Sequence, residues 1–336
     1  MDGGAVRLRR VILAALLLAA TVAGAADIYV EIGTAVSNVT LACAISKTSA
    51  PPNTIWIKPG TYPAFNSDDQ HTGTIRSLSG QLTGYGSAQD TIIDAAWGAS
   101  AVDIEANTTL LGVRVVRSAE AAAFGNIAGS VRTAINCHFE SNVWASYGSV
   151  ASVGSMLSNC IIRANGGMIP LYNCDVYNSL IIGNSGAGGF AGTFAIDANA
   201  HYCVGNTFYA NKLPGNGEIY RYSGTLYSQN NLFVTTNAAY AGSPTLLGGD
   251  VSQSVANAAT IFRYPTSGEG TNLPAGGDYR LVPLCAAWSA GVFTAATTQA
   301  RTDLDGMNWR GLTNNAAGAY WQNPTMIPQL RGGLIL

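Results

Sequence analysis

Charge is what this 336-residue chain has least of. Asp, Glu, Lys and Arg make up 11% of it, less than half the roughly 25% of an ordinary globular domain. The formal net charge is −2, and loss of Arg7, Arg9, Arg10 and Asp2 with a leader takes it to −4. No polybasic stretch remains to follow a phosphate backbone, which excludes nucleic acid as a partner. Histidine is scarce as well, with only His71, His138 and His201. None of the six cysteines stands in a CxxC knuckle, so a zinc ribbon is excluded, and their wide spacing does not resemble a compact disulfide framework. Helical periodicity is nearly absent, and so are long apolar runs after the first 26 residues.

Those first residues have an order of their own. Arg7, Arg9 and Arg10 precede the apolar run 11–20, and Ala23-Gly24-Ala25 follows it. That is the arrangement of a secretory signal peptide, and the run is short for a membrane span. Residues 1–26 are expected to be removed, leaving an exported chain with no span: secreted, extracellular or at the cell surface, with the periplasm as the other exported compartment.

What fills the place of charge is Asn, Ser, Thr, Gly and Tyr, a neutral hydrogen-bonding surface suited to a polysaccharide or a cell-surface protein partner. An Asn followed by a small residue and an apolar alternation recurs at Asn136, Asn159, Asn178, Asn206 and Asn231, in steps of 23, 19, 28 and 25 residues. A drifting period in the twenties predicts a coiled β solenoid with stacked faces. Leu111 to Val116 aligns with Ile135 to Glu140 at a step of 24, so the repeat begins earlier. Alternation predicts Ile135, Cys137 and Phe139 inside, with His138 and Glu140 outside; Leu157, Cys160 and Ile162 stack in the next coil. The asparagines are expected to form an amide ladder at the corners. Because Cys137 and Cys160 share an inward slot, the cysteines are expected to be free core thiols, although their even number permits disulfides. Residues 36–45 predict a short helix capping the first coil, and 242–277, rich in Gly, Ser, Thr and Pro, predict long loops near the last coils.

From about Ile55 to Leu281 the chain resembles the right-handed parallel β-helix, or pectate-lyase-like, superfamily. Ile57-Lys58-Pro59-Gly60-Thr61-Tyr62 is similar to the first coil of many members, and the Asn-Cys or Asn-Ser step resembles their repeat. Gly277-Asp278-Tyr279-Arg280-Leu281, then Asp303-Leu304-Asp305-Gly306 and Gly318-Ala319-Tyr320, resemble the closing segment of secreted bacterial members, with Ala316-Ala317 and Trp321 departing from its usual ending. The resemblance implies an all-β, single-stranded right-handed solenoid of roughly ten coils. Its expected parts are the leader 1–26, a β-helix domain with its cap over 27–295, and a closing segment over 296–336.

The family's activities include polysaccharide lyases and hydrolases beside many non-catalytic surface proteins, and fold does not choose among them. Polygalacturonase-like hydrolysis needs grouped aspartates with Gly-His-Gly and Arg-x-Lys, which this chain lacks. The best catalytic candidates are Arg114, His138, Glu140 and Arg163. The repeat stacks Arg114 on His138 and Glu140 on Arg163, so basic groups surround one carboxylate that could meet an acidic sugar. An ordinary ion pair on a strand face is the plainer alternative. No cofactor or metal is expected; calcium is the one ion the resemblance leaves open, and Asp303-x-Asp305-Gly306 lacks the further ligands of a calcium loop. Tyr202, Tyr209, Tyr220, Tyr222, Tyr227 and Tyr240 crowd the later coils, where exposed rings would stack on sugars and buried ones would fill the core. The favoured function is non-catalytic binding of carbohydrate or a protein partner along a solenoid face. A lyase or hydrolase with an atypical site comes second, and a structural rod or assembly subunit third.

Overall fold

The computed structural model describes residues 27–46, 53–66, 73–79, 90–98, 100–103, 108–119, 132–151, 153–186, 192–214, 217–274, 276–283, 285–288, 290–292 and 317–319. The leader, residues 80–89 and Asp303 to Gly306 lie outside them. Within them the chain winds through three parallel sheets. The first holds ten strands, from Asp27–Val30 to Thr245–Leu246, and the second holds nine, from Gly60–Pro63 to Val251–Gln253. The third side has the five strands Val143–Ala151, Gly166–Tyr172, Phe194–Ile196, Ile219–Arg221 and Tyr240–Ala241, and the separate pair Phe65–Asn66 and Val102–Asp103. Ten rungs thus stand on the first sheet, and about seven turns close on all three sides. The right-handed sense is the one crossovers between parallel strands take.

Stacking in register makes like residues neighbours. On the first sheet Ile28, Ile55, Ile75, Leu110, Ala134, Leu157, Val176 and Cys203 form one inward column. On the second, Tyr62, Ile93, Val115, Phe139, Ile162, Ile181, Phe208 and Phe233 form another. Phe208 and Phe233 stack at 4.9 Å, the spacing of adjacent strands. All of these side chains are buried. At the open first end, the helix Val39–Ser46 buries Val39, Ala42 and Cys43 against the core, with Asn38 Oδ1 accepting from Leu41 N at 2.8 Å. The expected cap is therefore a helix three residues later than its predicted start, preceded by the first strand.

One residue turns the chain from the first sheet to the second. Gly112, Asn136, Asn159, Asn178, Gly205 and Asn230 occupy this corner with φ of 68, 53, 55, 46, 69 and 55°. Asn tolerates the left-handed region better than other residues with a side chain. The corner interrupts strand alternation, so Ala134 faces inward and Ile135 outward, correcting the expectation for Ile135. It also divides the predicted ladder. Asn136, Asn159 and Asn178 turn the chain, whereas Asn206 and Asn231 stand one position further on and stack: Asn206 N and Nδ2 donate to Asn231 Oδ1 at 2.9 and 3.1 Å.

A longer ladder runs along the corner between the second and third sheets. Asn142 donates to Asn165 Oδ1 through N and Nδ2 at 2.9 and 3.0 Å. Asn165 donates likewise to Asn184 at 3.0 Å for both bonds, and Asn184 to Asn211 at 2.8 and 3.1 Å. Each Nδ2 also reaches a main-chain carbonyl, of Val115, Phe139, Ile162 and Ile181 in turn. All four asparagines are buried, so these bonds satisfy groups that water cannot reach.

The six cysteines are free, and all but Cys285 are buried. The thiols of Cys137 and Cys160 meet on adjacent rungs of the core.

The region 242–277 differs from the expected loops: Thr245–Leu246 and Val251–Gln253 are the last strands of the first and second sheets. After the last coil, the helix Ala258–Ile261 and the antiparallel pair Phe262–Tyr264 and Asp278–Leu281 turn back over the outer face of the second sheet. There Ile161, Leu180, Ile182, Tyr209, Leu232 and Val234, outward on their strands, pack with Ile261, Phe262, Leu273, Tyr279, Leu281 and Trp288 into a second apolar core. Ala317 and Ala319 join it, with Ala319 N donating to Thr207 Oγ1 at 2.9 Å. The coils therefore end at Gln253, and Leu281 belongs to the cover. Apolar residues on the outer strand positions are the physical reason for the return, since left bare they would form a large exposed patch.

Candidate functional site

The cover stops halfway along the second sheet. Beyond its edge, toward the first coils, the outward columns change from apolar to polar and charged. One column reads Thr61, Ile92, Arg114, His138, then Ile161; the other reads Pro63, Asp94, Val116, Glu140, Arg163, then Ile182. The four candidates fall where the sequence places them, Arg114 beside His138 and Glu140 beside Arg163, all on three successive rungs.

Glu140 is the hub. Its Oε2 accepts from Arg114 Nη2 and its Oε1 from Arg163 Nη1, while His138 Nε2 lies 3.7 Å from Oε2. Arg163 is 7% exposed and donates its Nη2 to Leu273 O at 3.0 Å, tying the edge of the cover to the cluster. Arg114 is the open member, with 34% of its side chain exposed against 12% for Glu140. Burial pushes the His138 imidazole down to about 4, and the fields of Arg114 and Arg163 act the same way against the opposing pull of Glu140. Burial alone would raise the Glu140 carboxyl, but its basic neighbours His138, Arg114 and Arg163 outweigh it and hold it below the usual carboxylate range.

Beside this cluster lies a second pair. Arg117 Nε donates to Asp94 Oδ1 at 2.8 Å and Nη2 to Oδ2, a two-pronged contact that lowers the Asp94 carboxyl. Thr61, Ile92, Asp94, Arg114, Val116, Arg117, Glu140 and Ser141 line a shallow groove of about 310 Å³. Asp94 and Arg117 escaped the sequence reading, although their step of 23 residues is that of the repeat. Among the described residues no group of three or more His, Cys, Asp or Glu side chains could hold a metal ion.

The tyrosines separate into four kinds. Tyr209 is buried under the cover against Phe262 and Tyr279. Tyr202 and Tyr227 stack on each other at 5.0 Å on the first sheet. Tyr240 turns its hydroxyl to Asp250 Oδ2 at 2.6 Å, whereas Tyr220 and Tyr222 line a cleft on the third sheet.

A deglycosylated pectin methylesterase from Aspergillus niger aligns with this chain at a TM-score of 0.45 and 15% identity, over 69% of this chain and 85% of that one. Pectate lyase Pel9A aligns at a TM-score of 0.42 and 14% identity, over 90% of this chain and 98% of that one. No family model and no curated protein sequence matches. The class is defined by the in-register parallel rungs themselves: the fold is a parallel β-helix.

Proposed function

We propose that this protein is an exported, non-catalytic β-helix that binds a glycan in the open groove of its second sheet. The observation that supports this is the pairing of every charged group lining that groove. Hydrolysis of a glycoside needs one carboxyl kept protonated near neutral pH, but Asp94 and Glu140 are both held low. Elimination from a uronate needs a basic side chain with a lone pair aimed at the substrate. Arg114 and Arg163 are engaged with Glu140, and His138, the neutral base of the set, has only 13% of its side chain exposed. Paired carboxylates and guanidiniums instead present fixed acceptors and donors side by side, which suits the hydroxyls of a neutral sugar.

Calorimetric titration with neutral and uronate oligosaccharides tests the reading, alongside the absorbance of unsaturated product with and without calcium. Saturable binding that weakens in Arg114→Ala, with a flat absorbance trace, is the expected result. Turnover of a uronate polymer that disappears in Glu140→Gln would replace this reading with that of a lyase.

A further inference from the structure

A second recess, on the third sheet, has a different chemistry. Ile169, Tyr172, Ala195, Ile196, Asp197, Tyr220 and Tyr222 enclose about 190 Å³. The register explains how it arises. Tyr172, Ala195 and Tyr220 are successive members of one outward column, so an alanine separates two tyrosines. Strands two rungs apart are about 9.6 Å apart, and the small Ala195 leaves the space between the rings unfilled. Adjacent tyrosines in a column behave otherwise: Tyr202 and Tyr227 close on each other at 5.0 Å and leave no gap.

The polar end of the recess is held in place. Asp197 Oδ2 accepts from the Tyr172 hydroxyl and Oδ1 from Asn173 Nδ2, and Asp197 N donates to Asn173 Oδ1 at 2.9 Å. Tyr222, 68% exposed, stands at the rim. Among the described residues no Lys, Arg or His lines the recess; Arg221 folds its guanidinium back onto Gly224 O at 2.9 and 2.6 Å.

We propose that this recess is a second, independent binding site, and that it takes one pyranose ring of a neutral or amino-sugar glycan. The apolar face of a saturated ring lies against the tyrosines, and its hydroxyls or amine donate to Asp197. The lone negative charge of the lining disfavours uronates, whose carboxylate would meet Asp197 with no cation to offset it. The site shares no residue with the groove of the second sheet, so the two stand or fall separately.

The test titrates the intact protein with chitotetraose, cellotetraose, tetragalacturonate and tetramethylammonium chloride, following tyrosine fluorescence. Saturable quenching by chitotetraose or cellotetraose is expected, weakened about tenfold in Tyr220→Ala and Tyr222→Ala and unchanged in Leu246→Ala, an exposed position that lines neither site. Tyr222 is exposed enough for its loss to leave the fold intact, which a melting curve checks. Asp197→Asn is expected to raise the affinity for tetragalacturonate relative to cellotetraose. Binding lost in Arg114→Ala but kept in both tyrosine variants would overturn the site while leaving the groove. Equal affinity for tetragalacturonate, or quenching by tetramethylammonium alone, would overturn the assigned ligand class.

Discussion

Asn211 donates its Nδ2 to Glu218 Oε2 at 3.1 Å, so the asparagine ladder that starts at Asn142 ends on a buried carboxyl. Thr193 and Thr235 also donate to Glu218, at 2.9 and 2.6 Å. Burial nevertheless prevails over these bonds and pushes the group up to about 7. With a folded pKa above the unfolded 4.5, its contribution to stability is full below pH 4.5 and is lost as pH rises to about 7. Glu218→Gln is expected to melt higher than the parent at pH 8, by up to about 3 kcal/mol, and alike at pH 4. Thermal melts across that range decide it; a gain independent of pH would contradict the account.

His138 has the opposite sign. Its folded pKa, about 4, lies below the unfolded 6.5, so its stability is full above pH 6.5 and is lost as pH falls toward 4. Between pH 4.5 and 6.5 the two groups offset each other, and the parent protein is expected to melt almost independently of pH there. Glu218→Gln should uncover the histidine slope, and His138→Gln the glutamate slope. A histidine C2 proton resonance assigned to His138 and titrating near 6.5 would remove this expectation.

The two kinds of corner asparagine should respond differently to replacement. Asn184→Ala removes the Nδ2 donor and the Oδ1 acceptor of a buried ladder and is expected to cost about 2–4 kcal/mol. Asn159→Ala retains the backbone bond to Tyr177 O and mainly incurs left-handed strain, about 1 kcal/mol. Equal losses in urea titrations would mean the distinction between the columns is wrong.

Arg163 fastens the cover, whereas Arg114 faces the groove. Arg163→Ala leaves Glu140 short of a partner and frees Leu273 O, so lowered melting and faster proteolysis between residues 262 and 276 are expected. Arg114→Ala should leave proteolysis unchanged. The same digestion rate in both variants would contradict the tether.

The thiols should be silent in the folded state. Burial pushes Cys160, Cys174 and Cys203 well up, and Cys43 up to about 12. Alkylation under native conditions is expected to label no more than Cys285, and all six thiols react in guanidinium. A mass two units low for each pair of missing thiols would reveal disulfides instead.

The repeat was legible because parallel stacking forces like residues into like positions, and Asn at a left-handed corner leaves a mark that insertions elsewhere do not erase. The candidate cluster was legible for the same reason: Arg114 to His138 is one rung. What blurred the ladder was the similarity of two neighbouring roles, turning the chain and bonding along the stack, both filled by Asn. A fixed offset separates them. Asn142, Asn165, Asn184 and Asn211 each follow a left-handed residue, Asn136, Asn159, Asn178 and Gly205, by six positions. The cover was illegible because strand alternation marks which side of a strand is apolar but not what lies over it. Ile161-Ile162 and Leu180-Ile181-Ile182 are apolar on both sides, the pattern of a sheet buried on both faces. Tyr172 and Asp197 escaped notice because the third side is joined by segments of unequal length, which hide its register.

The return of the helix Ala258–Ile261 and the strands Phe262–Tyr264 and Asp278–Leu281 onto the second sheet has a consequence for how the chain is made. Synthesis delivers the coils first, and every coil can close its backbone ladder as soon as the next one arrives. The greasy stripe of Ile161, Leu180, Ile182, Leu232 and Val234 must then wait, wet, for a roof that leaves the ribosome after them. A chain halted at Gln253 would have complete rungs and an unroofed flank, and its nearest source of shelter would be another chain halted at the same place.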